Sequence, residues 1–124
     1  MESINRGDIY SVNFGNGIGS EQGGFRPAII LQNNKGNYYA PTVMVAPITT
    51  AKKHRLPTHV TVFPNTGVKG TSIALYEQVM TIDKTRLLKK IGHKTMTHWD
   101  DRAIAIAFGC GTFLSDDEKK NIEV

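Results

Sequence analysis

A shortage of thiols and of long apolar runs narrows the choice of protein class. The sequence has one cysteine, Cys110, so it cannot form an internal disulfide or a zinc site built from several thiolates. Its longest nearly apolar stretch, residues 103–114, is too short to span a bilayer. Residues 1–6 lack the apolar core of an export signal. These absences predict a soluble, reduced, cytoplasmic protein with no membrane segment.

The composition is that of an ordinary globular protein. Hydrophobic residues make up 40% of the 124 residues and charged residues 21%, which is too apolar for intrinsic disorder. A chain of this length has room for one hydrophobic core. The sequence therefore predicts a single domain over residues 1–124.

Apolar and polar residues alternate through much of the chain. Tyr10, Val12 and Phe14 fall on one face of a predicted strand over residues 9–14. Similar patterns predict further strands at residues 27–31, 42–48, 58–63, 72–76, 78–82 and 87–91. Residues 33–37 have the composition of a turn, and Asp83 is placed to cap a single helical turn.

One longer helix is predicted near the C-terminus. Thr97 and Asp100 match a capping box directly before the apolar segment 103–108. That segment is apolar nearly all round, which favours burial against the sheet, against a second copy of the chain, or against both. Many short strands followed by one helix predict a mainly β fold, a small barrel with a C-terminal helix.

Positive charge is concentrated in the middle of the chain. The net charge is +4 overall, but residues 52–94 carry +7 and residues 95–124 carry −3. A basic band among strands suits a polyanion such as nucleic acid. A solvated basic face with no ligand is the alternative.

No motif for a metal or a nucleotide cofactor is present in the sequence. Five glycines lie within residues 15–24, but their spacing fits neither a dinucleotide fingerprint nor a P-loop. The histidines His54, His59, His93 and His98 fall in pairs five apart, which does not place two ligands on one helical face. The sequence predicts no cofactor and no metal site, with histidines that are exposed or associated with helix caps.

Two residues at predicted strand ends form a candidate phosphate site. Arg26 precedes Pro27, which restrains Arg26 to extended backbone, and Thr49 closes the third strand. A guanidinium fork beside a hydroxyl is suited to binding a phosphate. The alternatives are a surface ion pair of Arg26 with Glu21 and a turn role for Thr49.

Several motifs, in order along the chain, resemble the MazF/PemK/Kid family of toxin endoribonucleases. They are RGDIY at residues 6–10, GSEQGGFRP at residues 19–27, the strand at residues 42–48 that ends in Thr49, and EQVMTIDK at residues 77–84. The resemblance runs from about Arg6 to the C-terminal helix. It implies an SH3-like barrel of the PemK/CcdB type that forms a homodimer.

The resemblance also implies an activity and a partner. Members of the family cleave single-stranded RNA at a short sequence without a metal ion, leaving 2′,3′-cyclic phosphate and 5′-OH ends, and are neutralised by the acidic C-terminal tail of a cognate antitoxin. By position, Arg26 and Thr49 carry over as catalytic residues. Glu77 is a candidate proton acceptor by analogy with one branch of the family, the alternative being a carboxylate at the barrel edge that pairs with Lys or Arg.

Implied RNA contacts follow from the same resemblance and from the basic band. They are Ser20, Glu21, Gln22, Phe25, Lys52, Lys53, Arg55 and Gln78. The chain departs from the family at two positions. Met80 replaces an arginine of most relatives, which bears on the RNA sequence preferred, and Ser20 replaces a histidine of one branch, which favours reliance on the Arg and Thr pair.

Two other functions are compatible with this fold class. A relative of the same fold poisons DNA gyrase, but that activity depends on a Trp-Gly-Ile C-terminus, whereas this chain ends at Val124 after Asn-Ile-Glu. A non-catalytic SH3-like RNA-binding module would also be basic and rich in strands. Only the pair of Arg26 and Thr49 argues against this second alternative.

Overall fold

The computed structural model describes residues 3–17, 23–50, 55–109 and Asp117. These residues form a mainly β fold with a helix near the C-terminus, as predicted. The strands are β1 (Asp8–Asn13), β2 (Phe25–Ile30), β3 (Thr42–Thr49), β4 (His59–Val62), β5 (Ser72–Leu75), β6 (Met80–Asp83) and β7 (Leu87–His93). The helices are α1 (Asn34–Tyr39) and α2 (His98–Phe108), and three 3₁₀ turns cover Pro64–Thr66, Tyr76–Gln78 and Lys84–Arg86.

All of the strand pairs are antiparallel, and β3 lies at the centre of the sheet. The strand order is β4-β5-β3-β2-β1-β7, and β6 pairs with the first half of β3. The second half of β3 pairs with β5 through Ile48 and Thr49, so β3 belongs to both a larger and a smaller group of strands. Along β3, the ladder to β2 ends at Pro47 and the ladder to β5 begins at Ile48.

Each face of β3 contributes to a different part of the core. One cluster contains Ile9, Ile29, Ala46, Ile48, Val62, Val68, Ala74, Tyr76 and Ala103. The other contains Tyr10, Val12, Phe14, Ala28, Ile30, Val43, Val45 and Ile82. The predicted common face of Tyr10, Val12 and Phe14 is confirmed. Ile9, on the opposite face of β1, is also fully buried, whereas Ser11 and Asn13 on that face are polar and at least partly exposed.

Two of the predicted helix caps are confirmed. Thr97 and Asp100 form the capping box of α2, and Asp83 caps the turn Lys84–Arg86 by accepting a hydrogen bond from the Thr85 N–H at 2.9 Å. The turn predicted over residues 33–37 is wrong, because these residues begin α1. The Asn33 side chain accepts a hydrogen bond from the Gly36 N–H at 2.8 Å and so starts a helix of six residues.

Helix α2 is less enclosed than its apolar segment suggested. Ala103 and Ala105 are buried, whereas Ile104 and Ile106 are only partly buried and Phe108 is 55% exposed. No helix in the described part of the chain has the length and apolar character needed to cross a membrane.

A buried carboxylate ties α2 to the rest of the fold. Asp100 is 0% exposed and accepts hydrogen bonds from the Tyr76 hydroxyl at 2.6 Å and from Lys94 Nζ at 2.6 Å. The Thr97 N–H and hydroxyl also donate to it, at 3.0 and 3.1 Å. Burial alone would raise the pKa of Asp100, but these donors outweigh burial and the pKa lies below its ordinary value.

Candidate nucleic-acid site at the ends of two central strands

Arg26 and Thr49 line one open pocket. In the ladder between β2 and β3, Ala28 lies opposite Pro47 and Ile30 opposite Val45. Continuing this register by two residues places Arg26 opposite Thr49, on the same face of the sheet. The pocket has a volume of about 450 Å³ and is lined by Gly23, Gly24, Phe25, Arg26, Pro27, Ile48, Thr49, Thr50 and Ser72. The structure thus brings together the two residues that the sequence proposed as a phosphate site.

The backbone before Arg26 is anchored to the end of β1. The Phe14 N–H donates to the Gly24 carbonyl at 2.9 Å, and the Gly24 N–H donates to the Gly15 carbonyl at 2.6 Å. Gly24 has a φ of 73°, a left-handed conformation that favours glycine. The Arg26 Nε–H donates to the Gly23 carbonyl at 2.8 Å. These contacts fix where the arginine side chain leaves the sheet.

Thr49 is held more rigidly than Arg26. It is 3% exposed, whereas Arg26 is only partly buried. Thr49 lies opposite Ile73 of β5, and Ile73 lies opposite Thr61 of β4. Thr49 is therefore held at the end of β3 by the ladder to β5, two residues beyond the last residue of β3 that pairs with β2.

The other implied RNA contacts are only partly described. Phe25 lines the pocket and is 71% exposed, which leaves its ring available to a ligand. Arg55 is exposed and donates from its guanidinium to the Thr61 hydroxyl at 2.9 Å, on the same face as Thr49. Gln78 lies half-buried in the turn Tyr76–Gln78. Ser20, Glu21, Gln22, Lys52 and Lys53 lie outside the described residues, and so does the alternative ion pair between Arg26 and Glu21.

Glu77 lies in a cluster with Thr58 and His59. Among the described residues, it does not line the pocket that holds Arg26 and Thr49. The Thr58 hydroxyl donates to Glu77 Oε1 at 2.9 Å, and His59 Nε2 lies 3.0 Å from Glu77 Oε2. Because His59 Nδ1 accepts from the Leu56 N–H at 3.1 Å, the ring carries its proton on Nε2 and donates it to Glu77. Among the described residues, the side chain of Glu77 thus pairs with a histidine and a threonine, and not with a lysine or an arginine.

The environment of Glu77 favours its charged form. Burial raises the pKa of its carboxyl, but the hydrogen bonds from His59 and Thr58 outweigh burial and the pKa lies below its ordinary value. The prediction that the histidines are exposed or cap-associated is wrong for His59, which is 6% exposed and hydrogen-bonded to Glu77. Thr58 and Glu77 are 19 positions apart, so only the pairing of β4 with β5 reveals this contact.

Among the described residues, no group of three or more His, Cys, Asp or Glu side chains is arranged to hold a metal ion.

The family resemblance predicted from the sequence is supported by a match to a family of known proteins. The model of the PemK-like, MazF-like toxins of type II toxin–antitoxin systems matches residues 5–107.

Two relatives and one solved structure are similar to this chain over most of their length. Endoribonuclease EndoA of Bacillus subtilis is 45% identical over 100 residues, which cover 79% of this chain and 82% of that protein. Endoribonuclease MazF of Staphylococcus epidermidis is 40% identical over 114 residues, which cover 89% of this chain and 95% of that protein. A mycobacterial endoribonuclease solved in complex with its cognate antitoxin has a TM-score of 0.72 at 25% identity, covering 86% of this chain and 95% of that one. The family match, the two relatives and the shared fold agree, and the chain belongs to the PemK-like, MazF-like toxins of type II toxin–antitoxin systems.

Proposed function

We propose that this chain is the toxin of a type II toxin–antitoxin pair and that it cleaves single-stranded RNA, in the cytoplasm where mRNA is found, at a short sequence and without a metal ion. The observation that carries the proposal is the pocket in which Arg26 and Thr49 converge at the ends of β2 and β3. The names of the two relatives, both endoribonucleases, support RNA as the substrate.

The proposed reaction is an internal transesterification. The 2′-hydroxyl gives up its proton to a base as its oxygen attacks the neighbouring phosphorus, the bond from phosphorus to the 5′ oxygen breaks, and the 5′ oxygen takes up a proton from water. The products are a 2′,3′-cyclic phosphate and a 5′-OH. Negative charge builds on the phosphoryl oxygens in the transition state, so donors fixed in advance at those oxygens accelerate the step.

We assign Arg26 to stabilising the negative charge on the phosphoryl oxygens in the transition state. Its guanidinium stays protonated and presents several N–H donors in one plane, and its Nε is already anchored on Gly23. A permanently charged group is a poor proton acceptor, so Arg26 does not serve as the base. Thr49, on a rigid central strand, donates its hydroxyl to a phosphoryl oxygen or holds the attacking 2′-hydroxyl.

Glu77 is the residue we assign to proton acceptance. A base must be unprotonated, and the carboxylate of Glu77 is ionised at neutral pH, although its lowered pKa makes it a weaker proton acceptor than an ordinary glutamate. The turn Tyr76–Gln78 that carries it packs against β3, the strand that ends in Thr49. The Nε2–H of His59 and the hydroxyl of Thr58 donate hydrogen bonds that hold the carboxylate in place.

A path for the RNA extends from the pocket. Phe25 offers an exposed ring on which a base can stack, and the guanidinium of Arg55 lies at the Thr61 hydroxyl, on the face of the strands that carries Thr49. We place the remaining contacts at Ser20, Glu21, Gln22, Lys52, Lys53 and Gln78. Met80, 37% exposed on β6, is the substitution that we expect to alter sequence preference.

Two partners complete the proposal. The partly exposed Ile104 and Ile106 and the exposed Phe108 give α2 an apolar surface that a second copy of the chain would cover, so we propose a homodimer. The solved complex of a similar endoribonuclease with its antitoxin supports a cognate antitoxin here, with an acidic C-terminal tail.

End-group analysis of cleaved RNA tests the proposal. A long RNA of mixed sequence is incubated with the pure protein in excess chelator, and we expect discrete fragments with 5′-OH ends and cyclic phosphates. The Arg26→Lys variant is the matched control, because it keeps the positive charge and loses the planar fork. An intact RNA after incubation with folded wild-type dimer would favour a binding module, and cleavage that needs an added divalent ion would refute the mechanism.

A further inference from the structure

The turn Tyr76–Gln78 joins two strands that pair along the same edge of β3. Strand β6 pairs with the first half of that edge and β5 with its last two residues, both on the side of β3 away from β2. The turn therefore passes β3 two or three residues before Thr49, which is about 7–10 Å along the strand. Glu77, the middle residue of the turn, is thus carried beside the strand that ends at the pocket.

Tyr76 fixes the start of this turn at three points. Its ring is 1% exposed and belongs to the core cluster that contains Ile48 and Ala103. Its N–H donates to the Thr58 carbonyl at 3.2 Å, and its hydroxyl donates to Asp100 Oδ1 at 2.6 Å. Burial and the neighbouring Asp100 carboxylate raise the pKa of the Tyr76 hydroxyl, so the hydroxyl stays protonated and remains a donor.

Asp100 gives the Tyr76 hydroxyl a rigid partner. The Asp100 carboxylate also accepts hydrogen bonds from Lys94 Nζ and from the N–H and hydroxyl of Thr97. Asp100 lies in the first turn of α2, so the bond from Tyr76 ties the turn Tyr76–Gln78 to the start of that helix. Without the Tyr76 hydroxyl, Asp100 would keep its other donors, whereas the turn would lose this tie to the helix.

Thr58 connects Tyr76 to the carboxylate of Glu77. The Thr58 carbonyl accepts the Tyr76 N–H, and the Thr58 hydroxyl donates to Glu77 Oε1 at 2.9 Å. His59, the next residue, holds the other oxygen, Glu77 Oε2, at 3.0 Å. A shift of the turn away from the start of β4 would therefore lengthen the hydrogen bonds that orient the carboxylate.

We propose that Tyr76 is a positioning residue for RNA cleavage, which fixes the turn through its bond to Asp100 and thereby orients the Glu77 carboxylate. The proposal rests on the proposed role of Glu77 as the base. Tyr76 is enclosed in the core and is not among the described residues that line the pocket of Arg26 and Thr49, so it acts through Glu77 and not on the RNA. Helix α2 thereby becomes part of the framework that supports the reaction.

The Tyr76→Phe variant tests the proposal, because it removes the hydroxyl and keeps the ring. Single-turnover cleavage of RNA is measured across acidic and neutral pH. We expect the rate at neutral pH to fall about 10-fold to 100-fold, as for a slightly misplaced reacting group, with KM nearly unchanged. The acidic limb of the profile should move to higher pH, because weaker hydrogen bonds to Glu77 let its pKa rise towards the ordinary value.

A second measurement needs no RNA. Titration of isotope-labelled glutamate side chains, followed by NMR, reports the pKa of the Glu77 carboxyl, which should be higher in Tyr76→Phe than in wild type. An unchanged pKa of Glu77 in this variant would refute the proposal and leave the proposed base intact. Cleavage by Glu77→Gln at the wild-type rate would refute the base itself, and with it the catalytic part of Tyr76.

Thr97→Val is the matched control, because it removes a different hydroxyl donor from the same Asp100 carboxylate and leaves the turn Tyr76–Gln78 unchanged. Urea denaturation should show a loss of stability in both variants. The cleavage rate and pH profile of Thr97→Val should nevertheless stay close to those of wild type. Equal rate losses and equal shifts of the acidic limb in Thr97→Val and Tyr76→Phe would overturn the proposal, since Asp100 would then act through the fold as a whole.

Discussion

The carboxylate of Asp100 beneath α2 and the guanidinium of Arg26 in the pocket differ in burial and in how fully their hydrogen-bonding groups are satisfied within the fold. Asp100 is fully buried, and four donors from Tyr76, Lys94 and Thr97 surround its two oxygens. Arg26 is partly exposed, and its Nε is anchored while its guanidinium lines an open pocket. A charge that is satisfied inside the fold serves stability, whereas a charge anchored at the rim of a pocket can act on a ligand. Substitutions at the two sites should therefore separate stability from activity.

The largest expected effect is on stability at Asp100. Asp100→Ala leaves the Lys94 ammonium in a largely buried position without its carboxylate, and removing one partner of a buried ion pair costs about 3–5 kcal/mol in the free energy of unfolding. Urea denaturation followed by circular dichroism measures this. Asp101→Ala is the control, because Asp101 pairs with Arg6 at 2.9 Å near the surface, where such pairs contribute about 0–1 kcal/mol. Similar losses in the two variants would contradict the comparison.

The next effect is on the reaction rate at Arg26. Arg26→Ala should lower the rate of RNA cleavage about 100-fold to 1,000-fold, because it removes one preorganised donor of charge, while the unfolding free energy changes little. Single-turnover cleavage and urea denaturation of the same preparation measure the two quantities. Arg26→Lys should recover part of the rate. A variant that cleaves at the wild-type rate would show that the reacting phosphate binds elsewhere.

Thr49 should show a smaller loss of activity. Thr49→Val keeps the shape of the buried side chain and removes the hydroxyl, so a loss of about 2-fold to 12-fold in cleavage rate is expected, in line with one hydrogen bond of about 0.5–1.5 kcal/mol. Thr49→Ser keeps the hydroxyl and should retain most of the rate. If Thr49→Ser is slower than Thr49→Val, packing and not the hydroxyl accounts for the role of this position.

The sequence predicted local features better than contacts across the fold. The capping box of Thr97 and Asp100 was predictable because its signal lies within four residues. The helix begun by Asn33 was not, because a six-residue helix capped by Asn has the composition of a turn. The pair of Arg26 and Thr49 was proposed from the strand ends and from the family resemblance. Its geometry depends on the register between β2 and β3.

Contacts between distant residues left no local signal. His59 and Glu77 are 18 positions apart and meet only because β4 pairs with β5. Lys94 looked like one more cation of the basic band, yet it pairs with buried Asp100. Counting charge along the sequence therefore overstates the positive charge available to a ligand, since part of it is balanced inside the fold.

The smallest predicted effect is a pH dependence at Glu77. Its environment is intermediate between those of Asp100 and Arg26, because its carboxylate is paired with His59 yet partly exposed. Its pKa in the folded protein is lower than its ordinary value, because His59 and Thr58 donate hydrogen bonds to it, so the folded state favours the ionised carboxylate. The stability that this provides is complete above the unfolded pKa and is lost as the pH falls through the lower, folded pKa. The difference in unfolding free energy between wild type and Glu77→Gln should accordingly shrink on acidification from pH 7 towards pH 3, as measured by urea denaturation at each pH. A difference that stays constant over this range would mean that Glu77 stabilises the fold through hydrogen bonds that glutamine also makes. A separate loss of cleavage in Glu77→Gln at pH 7 would then still report its proposed role as the base.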